Sequence, residues 1–230
     1  MADERVLFIT GASSGIGAAT ARAALGAGWS VALSARSAAK LDELAAQLDG
    51  GERVLVVPAD VTEWDQLEAA VERTRERFGR LDAVFANAGF GARRGFLEES
   101  PEQWRSMVLT NVYGAALTIR ATLPAITASR GHVLLTGSVA GRRALPGSLY
   151  SSTKFAVGAM AESLRQELNG TGARVTLIAP GMVDTPFFDS APSIEALHPE
   201  DVAGAVLWAL GQPPRVDVNE ILLRPTAQDG

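Results

Sequence analysis

Short apolar runs alternate along this chain with longer stretches in which apolar residues return every three or four positions. Arg5 to Thr10 reads Arg-Val-Leu-Phe-Ile-Thr and stops at Gly11, the pattern of a strand buried on both faces. After a cluster of glycines, Ile16 to Gly28 is Ala-rich with helical spacing and Ser30 to Ala35 is strand-like again, so the chain opens with a β-α-β unit. The alternation continues with a helix over Ser37 to Leu48 and a strand over Arg53 to Val57. A third helix follows Thr62, predicted as its N-cap with Asp65 three residues on, and ends at Phe78-Gly79. Ala83 to Ala86 is a fourth strand. Ser100-Pro101 starts a long helix as an N-cap followed by proline should, with Trp104, Met107, Val108, Val112, Ala115 and Ile119 on its apolar positions. Gly131 to Thr136, Arg174 to Ile178 and Glu220 to Leu223 are the remaining strands, and Tyr150 to Asn169 and Pro199 to Leu210 the helices between them. Strict alternation predicts an α/β fold: a doubly wound, seven-stranded parallel sheet with helices on both faces.

Composition narrows the chemistry. A length of 230 residues suits one domain over 1–230 with a substantial core. With zero cysteines, disulfides, thiolate metal sites and cysteine nucleophiles are excluded. His132 and His198 have no partner at ligand spacing, so no metal is expected. A net charge of −5 lacks the basic face that nucleic acid requires, and no nucleic-acid partner is expected. The uncharged stretches Ala23 to Ala35 and Met107 to Ile119 are interrupted by small or polar residues. Both fall short of the roughly 18 apolar residues of a membrane span. Met1 to Arg5 has no signal-peptide character, and the expected compartment is the cytoplasm.

Three features carry chemistry. The first is Thr10-Gly11-Ala12-Ser13-Ser14-Gly15-Ile16-Gly17, placed between a buried strand and an Ala-rich helix. Small residues there let the backbone approach a pyrophosphate, and the helix N-terminus offers free N–H groups and positive dipole charge. Gly11, Ser13, Ser14, Gly15, Ile16 and Gly17 are therefore candidate dinucleotide contacts; the plain alternative is a tight strand-to-helix turn. The second lies about 20 residues on, where an Asp or Glu would bond the ribose 2′-hydroxyl of NAD. The chain has Ser34-Ala35-Arg36, with no carboxylate, and the planar fork of Arg36 suits a 2′-phosphate, so NADP(H) is expected over NAD(H). The plain alternative for Arg36 is a solvated charge. The third is Tyr150 and Lys154, which share a helix face at i and i+4, so that the ammonium can favour the ionised phenol. Bringing a phenol from about 10 to working pH takes about 3 units, or roughly 4 kcal/mol, which a lysine and an oxidised nicotinamide could supply.

Thr10-Gly11-x-x-x-Gly15-x-Gly17, Asn87-Ala88-Gly89, Asn111, Ser138 and Tyr150-x-x-x-Lys154, in this order, resemble the short-chain dehydrogenase/reductases almost end to end. The resemblance implies a single-domain Rossmann fold and an NADP(H)-dependent oxidoreductase moving hydride between nicotinamide and a carbonyl or secondary alcohol. It implies that Tyr150 is the general acid or base, that Lys154 lowers its pKa and holds the nicotinamide ribose, that Ser138 bonds the substrate oxygen and that Asn111 anchors a water behind Lys154. It further implies Asp60 and Val61 near the adenine and Pro180, Gly181, Val183 and Thr185 around the carboxamide. One departure is Ala86, where many members have a further asparagine, with altered packing near the adenine ribose expected.

Substrate should meet the loops at the C-terminal ends of the strands: Phe90 to Leu97, Val139 to Leu149, and Pro186 to His198, the last supplying Phe187, Phe188 and Leu197. They suggest a compact, partly apolar pocket for a small carbonyl or alcohol. Arg93-Arg94 and Arg142-Arg143 are either a clamp for an anionic group or solubilising charge. Apolar residues on more than one stripe of the helices from Ser100 and from Tyr150 suit a homodimer or homotetramer. The competing function is a noncatalytic NADP(H)-binding sensor, which has no need of a tuned phenol.

Overall fold

In the computed structural model, residues 5–186 and 194–228 are described. The first half contains β1 (Val6–Thr10), α1 (Gly15–Gly26), β2 (Ser30–Ser34), α2 (Ala38–Leu48), β3 (Val54–Val56), α3 (Trp64–Phe78) and β4 (Ala83–Ala86). The second contains α4 (Pro101–Val108), α5 (Ala115–Ser129), β5 (His132–Thr136), α6 (Leu149–Glu167), β6 (Arg174–Pro180), α7 (Pro199–Leu210) and β7 (Glu220–Leu223). The seven strands pair in parallel in the order β3-β2-β1-β4-β5-β6-β7. The direction of winding reverses between β1 and β4, and such a reversal opens a crevice beyond the carboxyl ends of the strands.

Continuous apolar strands follow from burial on both faces. Leu7, Phe8 and Ile9 of β1 are all 0% exposed, and alternation sends Phe8 to one core and its neighbours to the other. The Phe8 side packs with Leu67 of α3, Ile126 of α5 and Leu164 of α6; the Leu7 side packs with Leu41 of α2 and Val206 of α7. Each fully buried side chain of this size contributes about 1.5–3 kcal/mol, so the central strands are the stable base from which the loops project.

Helix ends follow their local chemistry at α2, where Ser37 Oγ accepts from Lys40 N, and at α4, where Ser100 Oγ accepts from Gln103 N. Gly79, at φ 75°, ends α3 in the left-handed region. The expected cap of α3 is different. Its N-cap is Glu63, and Thr62 lies one residue outside it, its amide and hydroxyl both donating to Asp60 Oδ1, at 2.9 and 2.8 Å, in a turn that precedes the helix. The long helix from Pro101 is also not uniform: Leu109–Gly114 is a π-helical segment joining α4 to α5. Such widened turns recur where a side chain must be re-aimed, and this one contains Asn111.

Candidate active site

The carboxyl ends of β1, β4, β5 and β6 bring Thr10, Asn87, Thr136 and Pro180 to the crevice. Gly11 leaves β1 at φ 65°, a conformation other side chains rarely adopt, and a Cβ on it would lie 2.9 Å from the backbone of Ala88. A Cβ on Gly17 would sit 2.3 Å from the carbonyl oxygen of Gly11. The turn therefore folds onto itself only with glycine at these positions. Ser14 caps α1 without a side-chain bond, so the first amides of α1 are not consumed by their own cap. A bare backbone turn delivered to a helix N-terminus leaves, around Ser13 and Ile16, the room and free N–H groups that a pyrophosphate would use.

Asn87 fastens this turn. Its Nδ2 donates to the carbonyls of Thr10 and Gly11 at 3.2 and 3.3 Å, and Thr10 Oγ1 accepts from the amides of Asn87 and Ala88. Across the crevice, a Cβ on Gly15 would lie 3.1 Å from Thr185 Cγ2, so the segment after β6 closes over the glycine turn. That segment is held by backbone bonds from Gly181 N to Leu223 O and from Leu197 N to Met182 O, and by a parallel bridge between Val183 and Leu197. Gln228 Oε1 accepts from Met182 N at 2.9 Å, a contact from the tail that no motif signalled. Phe187 and Phe188 lie outside the described residues.

Tyr150 stands in the first turn of α6, which Ser148 caps by accepting from Ser151 N at 3.1 Å. Its phenol hydrogen-bonds Ser138, the residue that also caps the short 3₁₀ turn Val139–Gly141 by accepting from Ala140 N. Lys154 follows one turn later, with Nζ 5.6 Å from the phenol ring centroid and donating to the carbonyl of Thr136 at 2.8 Å. Burial brings the ammonium down to about 8. The expected lowering of the phenol by Lys154 is not what the protein alone produces: burial pushes Tyr150 up to about 12, opposed by the bond to Ser138. Taking the phenolate out of water is the larger of these two effects.

Asn111 is buried, and its carboxamide pairs with both backbone groups of Phe90: Oδ1 accepts from the amide at 3.0 Å and Nδ2 donates to the carbonyl at 2.9 Å. Nδ2 also donates to Thr153 Oγ1 at 3.1 Å. The side chain is thus a clamp between the π segment, the loop that Phe90 begins and α6. A Cβ on Gly89 would meet Asn111 Oδ1 at 3.0 Å and Lys154 Nζ at 3.7 Å, so Gly89 lets the carboxamide and the ammonium approach the same backbone.

Around this centre, Arg36 is exposed at the tip of β2, directly before the α2 cap. Asp60 accepts the Thr62 bonds described above, and buried Val61 packs on the π segment, where a Cβ on Gly114 would come within 2.6 Å of it. Arg142 is turned away from the crevice: its Nε donates to Glu220 Oε1 of β7 at 2.7 Å, and that partnership raises its pKa. Arg93 and Arg94 are exposed, in a loop whose Gly95 amide bonds the Gly147 carbonyl at 2.9 Å. Besides Gln228, sequence reasoning missed Thr136 and Thr153. Thr153 offered a signal, since it lies within Tyr150-x-x-x-Lys154; Thr136 offered none.

The model of the short chain dehydrogenase family matches residues 5–195. An uncharacterized oxidoreductase of Staphylococcus saprophyticus is 37% identical over 228 residues, which cover 96% of this chain and 97% of the relative. One from Staphylococcus haemolyticus is 40% identical over 225 residues, with 96% and 97% covered. Among solved structures, alcohol dehydrogenase from the archaeon Thermococcus sibiricus, complexed with 5-hydroxy-NADP, aligns with a TM-score of 0.92 at 35% identity over 99% of each chain. The closed form of a serine dehydrogenase complexed with NADP+ aligns with a TM-score of 0.92 at 29% identity, over 98% of this chain and 96% of the other.

Proposed function

The chain belongs to the short chain dehydrogenase family of oxidoreductases, and from that premise we propose that it is an NADP(H)-dependent enzyme interconverting a small carbonyl compound and its secondary alcohol. The observation that carries this reading is the Ser138–Tyr150 hydrogen bond with the Lys154 ammonium beside the phenol ring, in the crevice lined by the glycine turn. When bound, the nicotinamide supplies or accepts the hydride. The chain's own residues handle the proton. With its phenol at about 12, Tyr150 is protonated at working pH and donates to the carbonyl oxygen as negative charge develops there. Ser138 offers that oxygen a second hydroxyl, and the Lys154 ammonium supports the phenolate left behind. In the reverse direction the same phenolate takes the alcohol proton. Exposed Arg36 at the end of β2, with no carboxylate beside it in Ser34-Ala35-Arg36, supports preference for the 2′-phosphate.

Exposed Val108, Leu109 and Tyr113 on the α4 and π segments and Phe155 on α6 support assembly as a homodimer or homotetramer. Among the described residues no helix is long and apolar enough to cross a membrane. The test is oxidation of NADPH and NADH, followed by absorbance, against a panel of aldehydes, ketones, oxo acids and quinones. NADPH-dependent turnover of a carbonyl is expected. Tight NADPH binding without turnover across the panel would replace this reading with the sensor.

A further inference from the structure

Thr136, the last residue of β5, is bonded through two different atoms to the two halves of the site. Its carbonyl accepts from Lys154 Nζ at 2.8 Å, and its hydroxyl donates to Asn87 Oδ1 at 3.1 Å. The direction of the second bond is forced. Asn87 Nδ2 faces the carbonyls of Thr10 and Gly11, and only an NH₂ can serve two carbonyls, so Oδ1 must face Thr136 and needs a donor there. We infer that Thr136 is a positioning residue that fastens Lys154 to the glycine turn, so that the cofactor cradle and the proton-handling pair share one hydrogen-bonded frame. This rests on the oxidoreductase reading for its consequence in turnover, though not for its geometry.

The frame runs from Gly11 through Asn87 and Thr136 to Lys154 without a solvent-exposed link: Asn87 and Thr136 are half-buried and Lys154 is buried. A valine at 136 keeps the shape and backbone but cannot donate. Asn87 Oδ1 then loses its donor, the carboxamide is free to turn, and its hold on the Gly11 carbonyl weakens together with the placement of the Thr136 carbonyl under Lys154. A serine keeps the donor and restores both.

The experiment compares Thr136→Val and Thr136→Ser with the wild type in three measurements. These are NADPH affinity by fluorescence titration without substrate, amide hydrogen exchange of Gly11–Gly17 and of the first turns of α6 in the cofactor-free protein, and kcat on the best carbonyl substrate. For Thr136→Val, affinity and kcat should each fall about tenfold, the effect of one partly buried hydrogen bond left half-made, and exchange should rise in both segments. Thr136→Ser should recover most of all three. A valine variant with wild-type affinity and exchange overturns the inference, as does a serine variant that fails like valine, because bulk and not the hydroxyl would then be responsible. A loss confined to one of the two segments also overturns it. If Thr136→Val does not fold, Thr136→Ala, which removes the same donor, decides by the same readings. A wild type that turns over nothing removes the proposed function, and the exchange measurement then still decides the frame.

Discussion

Asn111 Nδ2 donates to Thr153 Oγ1 at 3.1 Å, and Thr153 in turn donates to the Tyr150 carbonyl at 2.7 Å, so the widened turn of the long helix is bonded to the first turn of α6. The same carboxamide holds Phe90 by its amide and carbonyl. Asn111→Ala leaves these buried groups unpaired, which costs about 1–3 kcal/mol. A loss of that size lowers the unfolding midpoint of a chain this long by about 2–12 °C. Because Phe90 begins a loop expected to meet substrate, KM should rise as well; calorimetry and steady-state kinetics on the same preparation check both. An unchanged midpoint would mean the clamp is not what holds the loop.

Tyr150→Phe removes the phenol proton and the bond to Ser138 while keeping the ring over Lys154. Turnover should fall by about 10²–10⁴, the range for loss of a general acid or base, with NADPH affinity nearly unchanged. Turnover surviving within an order of magnitude would assign the proton to another group.

The pH dependence of reduction follows from Lys154. Burial lowers its pKa to about 8, so the ammonium is present below that pH and lost above it, while the phenol near 12 stays protonated throughout. In the reducing direction kcat/KM should hold at lower pH and decline as pH rises through about 8. A profile flat from pH 6 to about 10 would count against an essential ammonium, since such limbs report the pKa values of the free enzyme.

His132 makes acid stability the fourth prediction. It is buried at the opposite end of β5, with Nε2 2.7 Å from Thr176 Oγ1, whose own proton goes to the Val218 carbonyl. Nε2 must therefore donate, and the buried Nδ1 has no hydrogen-bond partner among the described residues. Burial first, and then the Arg174 charge, lower the pKa from 6.5 to about 3. The folded state thus binds fewer protons than the unfolded chain. The stabilisation is fully present above 6.5 and is lost as pH falls toward about 3, at most several kcal/mol in total. Chemical denaturation at pH 7 and at about pH 4.5 should show a smaller drop for His132→Gln than for wild type. Equal drops would place the acid sensitivity elsewhere.

Arg36→Ala should weaken NADPH binding about ten- to a hundredfold and leave NADH within about threefold, as expected for loss of a charged contact to a phosphate made by one cofactor and not the other. Titration of both cofactors measures the ratio. Equal losses would return Arg36 to the status of a solvated charge.

Much of this protein was legible in its residues because the relevant physics is local. Short continuous apolar runs, near-four-residue periods, glycine turns and the cap at Ser100 are short-range, and they located the strands and helices of the parallel sheet. Tyr150 and Lys154 were legible for the same reason, since a helix alone puts i and i+4 on one face. Tertiary structure decided the rest. Thr136 meets Asn87 across 49 positions of chain, and Asn111 meets Phe90 and Thr153 across 21 and 42, separations at which periodicity carries no information. Arg142, one of the paired loop arginines, is committed to Glu220 only because β7 comes to lie beside it. The direction of the Tyr150 shift also depended on the fold: helical spacing predicts attraction to Lys154, whereas the cost of taking a phenolate out of water depends on how deeply the surrounding chain covers it.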